Sequence, residues 1–193
     1  MLTKHRHFVS HKPARMISQF VGNGKRRARY LGELFDFPEG TMAIGRLDEK
    51  SEGLLLLTTD GKESARICGK HIEKEYYAQV DGIIDQEAVS KLNAGVEIGL
   101  EGAKYTTLPS ICRLIDSPEE LNLGQVKIRD DRHGPTSWVS VIVKEGKYRQ
   151  VRKMTAAVGF PTLRLVRVRI GVVNLQTLPS AAVIEVSSFD QDH

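Results

Sequence analysis

The sequence predicts an α+β fold, a mixed but mostly antiparallel sheet with a few helices, on three observations. Short runs rich in Val, Ile, Leu and Tyr recur along the chain, separated by Gly, Asp, Asn and Pro turn signals. Apolar residues at helical spacing occur in only a few places. Strands and helices do not alternate with the regularity of a parallel βαβ sheet. With 193 residues, 40% hydrophobic and 27% charged, residues 1–193 are expected to form a single domain, with or without two lobes, around a sizeable core.

Taken in order, His7 to Phe20 reads as extended or loop-like, and Gly22, Gly24, Lys25, Arg26 and Arg27 mark a loop. Ala43 to Leu47 is a short strand leading into a charged turn, Asp48 to Gly53. Leu54 to Thr59 is a strand of the buried type closed by Asp60-Gly61, and Lys62 to Cys68 is a short helix. Glu75 to Val80 is a further strand. Asp85 caps a helix whose Ala88, Val89 and Leu92 share a face and which stops near Gly95. Val96 to Ile98, Thr106 to Leu108, Ile111 to Ile115 and Val126 to Ile128 are short strands, followed by a polar loop from Asp130 to Thr136. Trp138 to Val143 is a strand ending in the turn Lys144 to Lys147. Gln150 to Val158 is the clearest helix: Val151, Met154, Thr155 and Val158 form one face, Gly159 ends it, and Arg152 and Lys153 lie opposite. Thr162 to Ile170 and Ala182 to Val186 are the last strands.

The net charge of +4 hides a strong segregation. The first 29 residues carry eight bases and no acid, and Lys144 to Arg169 carries eight bases against Glu145 alone. Two distant zones of one sign point to a polyanion, because neutralising phosphates releases counterions and gives sequence-independent affinity. With six Phe, five Tyr and one Trp, a sheet covered in base-stacking aromatics is not indicated.

Several classes are excluded. No apolar run approaches the roughly 20 residues of a membrane span. Cys68 and Cys112 are far apart and suggest neither a disulfide framework nor a thiolate metal site, consistent with a reducing, cytoplasmic interior. None of the Gly-Lys pairs sits in a P-loop frame, and G-x-S-x-G and H-E-x-x-H are absent. His5, His7 and His11 lack neighbouring carboxylates, so no metal is expected. No helix-turn-helix or zinc pattern supports a DNA-binding protein.

The most specific stretch runs from Gly45 to Gly61, G-R-L-D-E-K-S-E-G-L-L-L-L-T-T-D-G. It holds one carboxylate, Asp48, in a tight turn between two strands; on turn chemistry alone that residue is equally a turn or capping residue. The whole pattern resembles the catalytic signature of the pseudouridine synthases, in the branch acting on small- and large-subunit ribosomal RNA. Lys74-Glu75-Tyr76, Glu145 to Met154 (E-G-K-Y-R-Q-V-R-K-M) and Leu165 to Gly171 agree with it, in the right order. Lys12-Pro13, Met16 to Phe20, Pro135 to Trp138 and Thr155 to Leu165 look most like the large-subunit enzymes of E type. His11 and Thr59 depart from the pattern, where relatives often have Asn.

The resemblance implies a pseudouridine synthase fold with a central active-site cleft, and no room for the S4-type RNA-binding domain that relatives often carry. It implies isomerisation of a uridine in large-subunit rRNA without metal or cofactor. Asp48 would be the catalytic carboxylate and Lys147 the cation that keeps it charged. Tyr76 would pack on the target base, and Leu165 would line the other side of the pocket. Arg46 would fill the space left by the flipped base or hold the adjoining phosphate. Without the motif, Lys147 reads as a solvated turn lysine, Tyr76 as a sheet-face aromatic and Leu165 as core. Arg149, Arg152, Lys153 and Arg167 are expected on the RNA backbone. The partner is ribosomal RNA or a ribosomal precursor particle, with no membrane, and the chain is expected to be a monomer. The alternative from another class is an inactive RNA-binding or ribosome-assembly factor of the same fold.

Overall fold

The computed structural model of the chain describes residues 5–22, 28–69, 71–129 and 131–190. Lys4, the loop residues Gly24, Lys25, Arg26 and Arg27, and Asp130 at the start of the polar loop lie outside the described residues. In chain order the strands are β1 (His7–Lys12), β2 (Met16–Ile17), β3 (Arg29–Tyr30), β4 (Met42–Ile44), β5 (Glu52–Thr58), β6 (Lys74–Asp81), β7 (Glu97–Leu100), β8 (Ala103–Thr106), β9 (Ile111–Ile115), β10 (Thr136–Val143), β11 (Thr162–Ile170), β12 (Val173–Asn174) and β13 (Val183–Val186). The helices are α1 (Gly61–Cys68), α2 (Gln86–Ala94) and α3 (Gln150–Ala157). None of the described helices is long and apolar enough to cross a membrane.

Among the described residues, nine strands form one sheet. Strands β13, β1, β5, β11, β6, β10 and β9 lie side by side, with β4 paired to β5 and β12 to β11. Its ladders are antiparallel except where β11 meets β5 at Val166↔Glu52 and Arg167↔Gly53. The result is the mixed α+β sheet that the sequence predicts.

Alternation along each strand divides the core. Ala78, Val80, Val139, Val141 and Leu165 face α2 and α3 and pack on Ala88, Val89, Leu92, Val151 and Met154. On the opposite face Trp138, Val166, Val168 and Ile170 pack with Leu54 and Leu56. Leu55 and Leu57 pack instead with Phe8, Met16 and Leu31. Strand β5 is therefore covered on both faces, which explains its unbroken leucine run. Asp60 and Asp85 cap α1 and α2 through hydrogen bonds from Lys62 N and Ala88 N. Gly159, at φ +92°, ends the α3 segment with its N–H on Ala156 O.

Three expectations are corrected. The extended segment from His7 is in part an interior strand, β1, whose Ser10, His11 and Lys12 are fully buried; their polarity conceals it from a hydrophobicity reading. Val126 to Ile128 joins no ladder and runs as a connection between β9 and β10. Thr107 and Leu108 lie beyond β8: Thr107 N still donates to Val96 O (2.9 Å), but Leu108 N turns to the Glu145 carboxylate (2.9 Å).

Gly53 stands where β5 and β11 approach most closely. Its φ is +104°, and a Cβ there would lie 2.3 Å from Arg167 O. Only glycine satisfies both conditions, which places the central glycine of the Gly45–Gly61 stretch where the two strands that flank the site meet.

Candidate active site

The turn between β4 and β5 carries Asp48, and neighbouring backbone fixes it on both sides. Ser18 Oγ donates to Leu47 O (2.8 Å) and accepts from Leu47 N (3.1 Å). Arg15 N donates to Glu49 O (2.6 Å). The segment carrying Arg15 and Ser18 is held in turn by Lys12, which is fully buried and whose ammonium donates to Pro13 O (2.9 Å) and Met16 O (2.6 Å). Burial pulls the Lys12 pKa down to about 8, against the opposing pull of Glu52 and Asp48. Within the turn, Ser51 N donates to Asp48 O and Ser51 Oγ to Asp48 Oδ2 (3.2 Å). Glu52, the next residue, is buried and accepts two hydrogen bonds from Arg164 of β11 (2.6 and 3.1 Å). The carboxylate of Asp48 thus sits on a braced support.

Two guanidinium groups face it. Arg149 Nη1 and Arg152 Nε each lie 3.3 Å from Asp48 Oδ2. Arg152 is the deeper of the two, its side chain 10% exposed against 35% for Arg149. Arg152 Nη2 also donates to Ser51 Oγ (3.1 Å), so one planar fork grips the acid and the turn that carries it. Burial lowers the Arg152 pKa while Asp48 raises it, and the group stays cationic. Arg149 reaches the acid because its backbone is left-handed, φ +51°, at the start of α3. A non-glycine residue pays about 1–2 kcal/mol for that conformation.

The Glu145–Gln150 turn is closed by its own side chains. Glu145 accepts from Tyr105 Oη (2.6 Å), Leu108 N (2.9 Å) and Gln150 Nε2 (2.7 Å), and Gln150 Oε1 accepts from Lys147 N (3.1 Å). The link raises the Tyr105 pKa and ties the β7–β8 hairpin to the turn.

The structure brings Arg46, Asp48, Tyr76, Lys147 and Leu165 to one cleft, together with Ser51, Arg149 and Gln150. Tyr76 and Leu165 share the sheet face that carries α2 and α3, whereas Tyr77 packs on the other face. Arg46 is exposed and, among the described residues, makes no hydrogen bond or ion pair.

The roles expected of Lys147, Arg149, Arg152 and Arg167 are corrected: Arg149 and Arg152, expected on the RNA backbone, face Asp48 instead. The ion pair expected of Lys147 falls to Arg149 and Arg152, since the closed turn directs the Lys147 ammonium over the Tyr105 ring, 5.0 Å from its centroid. Arg167, expected on the RNA backbone, is 3% exposed and spends its guanidinium on Leu54 O and Gly45 O (both 2.8 Å). It fixes the flanks of the Asp48 turn instead. Lys153 donates to Gly99 O (2.7 Å) and lies over the Tyr148 ring. Sequence reasoning does not single out Ser18, Ser51, Glu145 and Gln150 as site residues. The spacing Asp48-x-x-Ser51 is a local signal for Ser51, because a hydroxyl three residues on can close such a turn, and the other three lie within stretches that carry the resemblance.

Comparisons with known proteins point to one family. Residues 6–157 match the family described as RNA pseudouridylate synthase. The chain is 40% identical over 169 residues to "Ribosomal large subunit pseudouridine synthase E" of Xanthomonas axonopodis pv. citri (strain 306), covering 86% of each chain. It is 37% identical over 174 residues to the protein of the same name from Vibrio parahaemolyticus, covering 88% of this chain and 69% of that one. Among solved structures, "Crystal structure of pseudouridylate synthase" superposes with a TM-score of 0.75 at 26% identity, over 94% of this chain and 70% of that one.

Proposed function

Because this chain belongs to the RNA pseudouridylate synthase family, we propose that it isomerises one uridine of large-subunit ribosomal RNA to pseudouridine, with Asp48 as the catalytic carboxylate. The reaction breaks the N1–C1′ bond, turns the uracil in place and joins C5 to C1′. The C5 proton leaves and N1 gains one, so the atoms balance without a co-substrate. Carboxylates suit this chemistry because they attack or stabilise an electron-poor sugar carbon, as in glycoside cleavage.

The single observation that carries the reading is the braced Asp48 turn, with Arg149 and Arg152 on one carboxylate oxygen inside a cleft lined by Tyr76 and Leu165. Tyr76 and Leu165 hold the flipped uracil between them, Arg46 enters the space the base has left, and Lys147 lies at the edge of the pocket. A larger groove of about 750 Å³ opens beside Glu49 and Lys50, lined also by Arg15, Arg29 and Lys127. Arg29 is paired there with Glu33 (3.2 Å), so Arg15, Lys50 and Lys127 are the cations that offer the flanking strand a path. The substrate is rRNA, free or in a precursor particle, in the cytoplasm. The chain is proposed to act as a monomer.

Asp48→Asn keeps the size of the side chain and removes its charge. With large-subunit rRNA transcripts carrying tritium at uridine C5, the wild type releases tritium and Asp48→Asn releases none, while both bind the transcript with similar affinity. Release by the variant at a rate near that of the wild type overturns the assignment. Binding without release by the wild type points to an RNA-binding factor instead.

A further inference from the structure

Tyr148 has no role in the site described so far. It lies between Lys147 and Arg149, both of which line the cleft, yet it does not line the cleft itself. The left-handed backbone of Arg149 turns that guanidinium inward to Asp48, while the Tyr148 side chain stands outside, 71% exposed. Phe35 is the other exposed aromatic among the described residues, and it is packed in a cluster with Phe8 and Phe37 at ring separations of 5.6 and 5.2 Å. Tyr148 has no ring partner among the described residues; its one ring contact is the Lys153 ammonium, 5.2 Å from the centroid. That ammonium is steadied by Gly99 O, so a fixed charge stands over one face of an otherwise exposed ring at the rim of the cleft.

We propose that Tyr148 is a stacking platform for the RNA base next to the flipped uridine, with Lys153 beside it for that nucleotide's phosphate. The inference rests on the RNA-modifying reading of the cleft and adds a recognition element outside it. A base pulled from its stack leaves its neighbour with a bare face, and an exposed phenol ring can replace the lost partner. The ring accepts any base, so the contact supplies affinity and register and leaves sequence unread. The nearby cation explains how an aromatic this exposed is used: it draws the phosphate in while the ring takes the base.

The test compares wild type, Tyr148→Ala, Tyr148→Leu and Tyr148→Phe on large-subunit rRNA transcripts, measuring tritium release and, separately, binding of the same transcript. Loss of one base stack corresponds to a factor of about 5–150 in affinity. Tyr148→Ala and Tyr148→Leu should raise KM and Kd within that range with the larger effect on KM than on kcat, and Tyr148→Phe should restore both. Unchanged Kd in Tyr148→Ala overturns the platform. A fall in kcat alone also overturns it, because the residue then acts through Arg149. If the wild type binds transcript but releases no tritium, the catalytic reading fails by itself, and the Kd series still decides the role of Tyr148.

Discussion

A carboxylate is useful at Asp48 only while its position and charge are held, and Arg152 does most of that holding. Its guanidinium spans Asp48 Oδ2 and Ser51 Oγ at 3.3 and 3.1 Å, a geometry that depends on a planar fork. Lysine carries the same charge but cannot make both contacts. Arg152→Lys should therefore lower kcat by about 10²-fold, the scale of a small misplacement of a reacting group, with a smaller change in RNA affinity. Single-turnover rates and filter binding separate the two effects, and a loss confined to affinity would return Arg152 to the RNA backbone. At this scale the sequence points to Asp48 only through the resemblance of the whole Gly45–Gly61 stretch, since turn chemistry alone leaves it a turn or capping residue. It does not reveal the partners. Whether Lys147, Arg149 or Arg152 meets the acid depends on a left-handed residue and on the depth of α3, and neither leaves a mark in residue spacing.

Elements place the turn, and β1 shows how. The strand ends in Lys12, whose buried ammonium holds Pro13 O and Met16 O and thereby positions Arg15 and Ser18 against the Asp48 turn. Its pKa falls from 10.5 to about 8 in the folded protein, so between those values the unfolded chain binds the extra proton. Stability contributed by this residue therefore rises with pH across the window from about 8 to 10.5, and the penalty for burying the charge is complete below it. The rise amounts to about 3 kcal/mol. Urea titrations at pH 7.5 and pH 10 should show the increment in the wild type and not in Lys12→Met, taken as a difference so that other groups cancel. An equal increment in both proteins would mean that Lys12 is not the source. The strands and helices with apolar periodicity are legible in the sequence, as β9, β11 and α2 show. Strand β1 is legible only as an extended or loop-like segment, because a buried polar strand cannot be told from a loop until its partners are known.

Across the whole molecule, the sequence correctly indicates an α+β sheet and two basic zones, but it overstates how many of those cations face RNA. Arg164 is bound to Glu52, Arg169 to Glu73 and Glu75, and Arg167 to backbone carbonyls. These three bases hold β11 to its neighbours. Lys50 and Lys127 are exposed and line the groove beside the Asp48 turn. RNA affinity should fall steeply with salt, and Lys50→Ala or Lys127→Ala should each reduce the log–log slope by about 1. A slope unchanged by both substitutions would place the strand elsewhere. Charge segregation is readable because it is a count along the chain. Internal pairing is not, since it follows from which strands become neighbours.

Pseudouridine mapping of large-subunit rRNA tests the central claim most directly, in cells lacking this protein and supplied with either the wild type or Asp48→Asn at equal abundance. The account predicts that one pseudouridine is missing from the deletion strain, returns with the wild type and stays missing with Asp48→Asn. Return of that pseudouridine with Asp48→Asn, or a deletion strain with its full complement of pseudouridines, would contradict it.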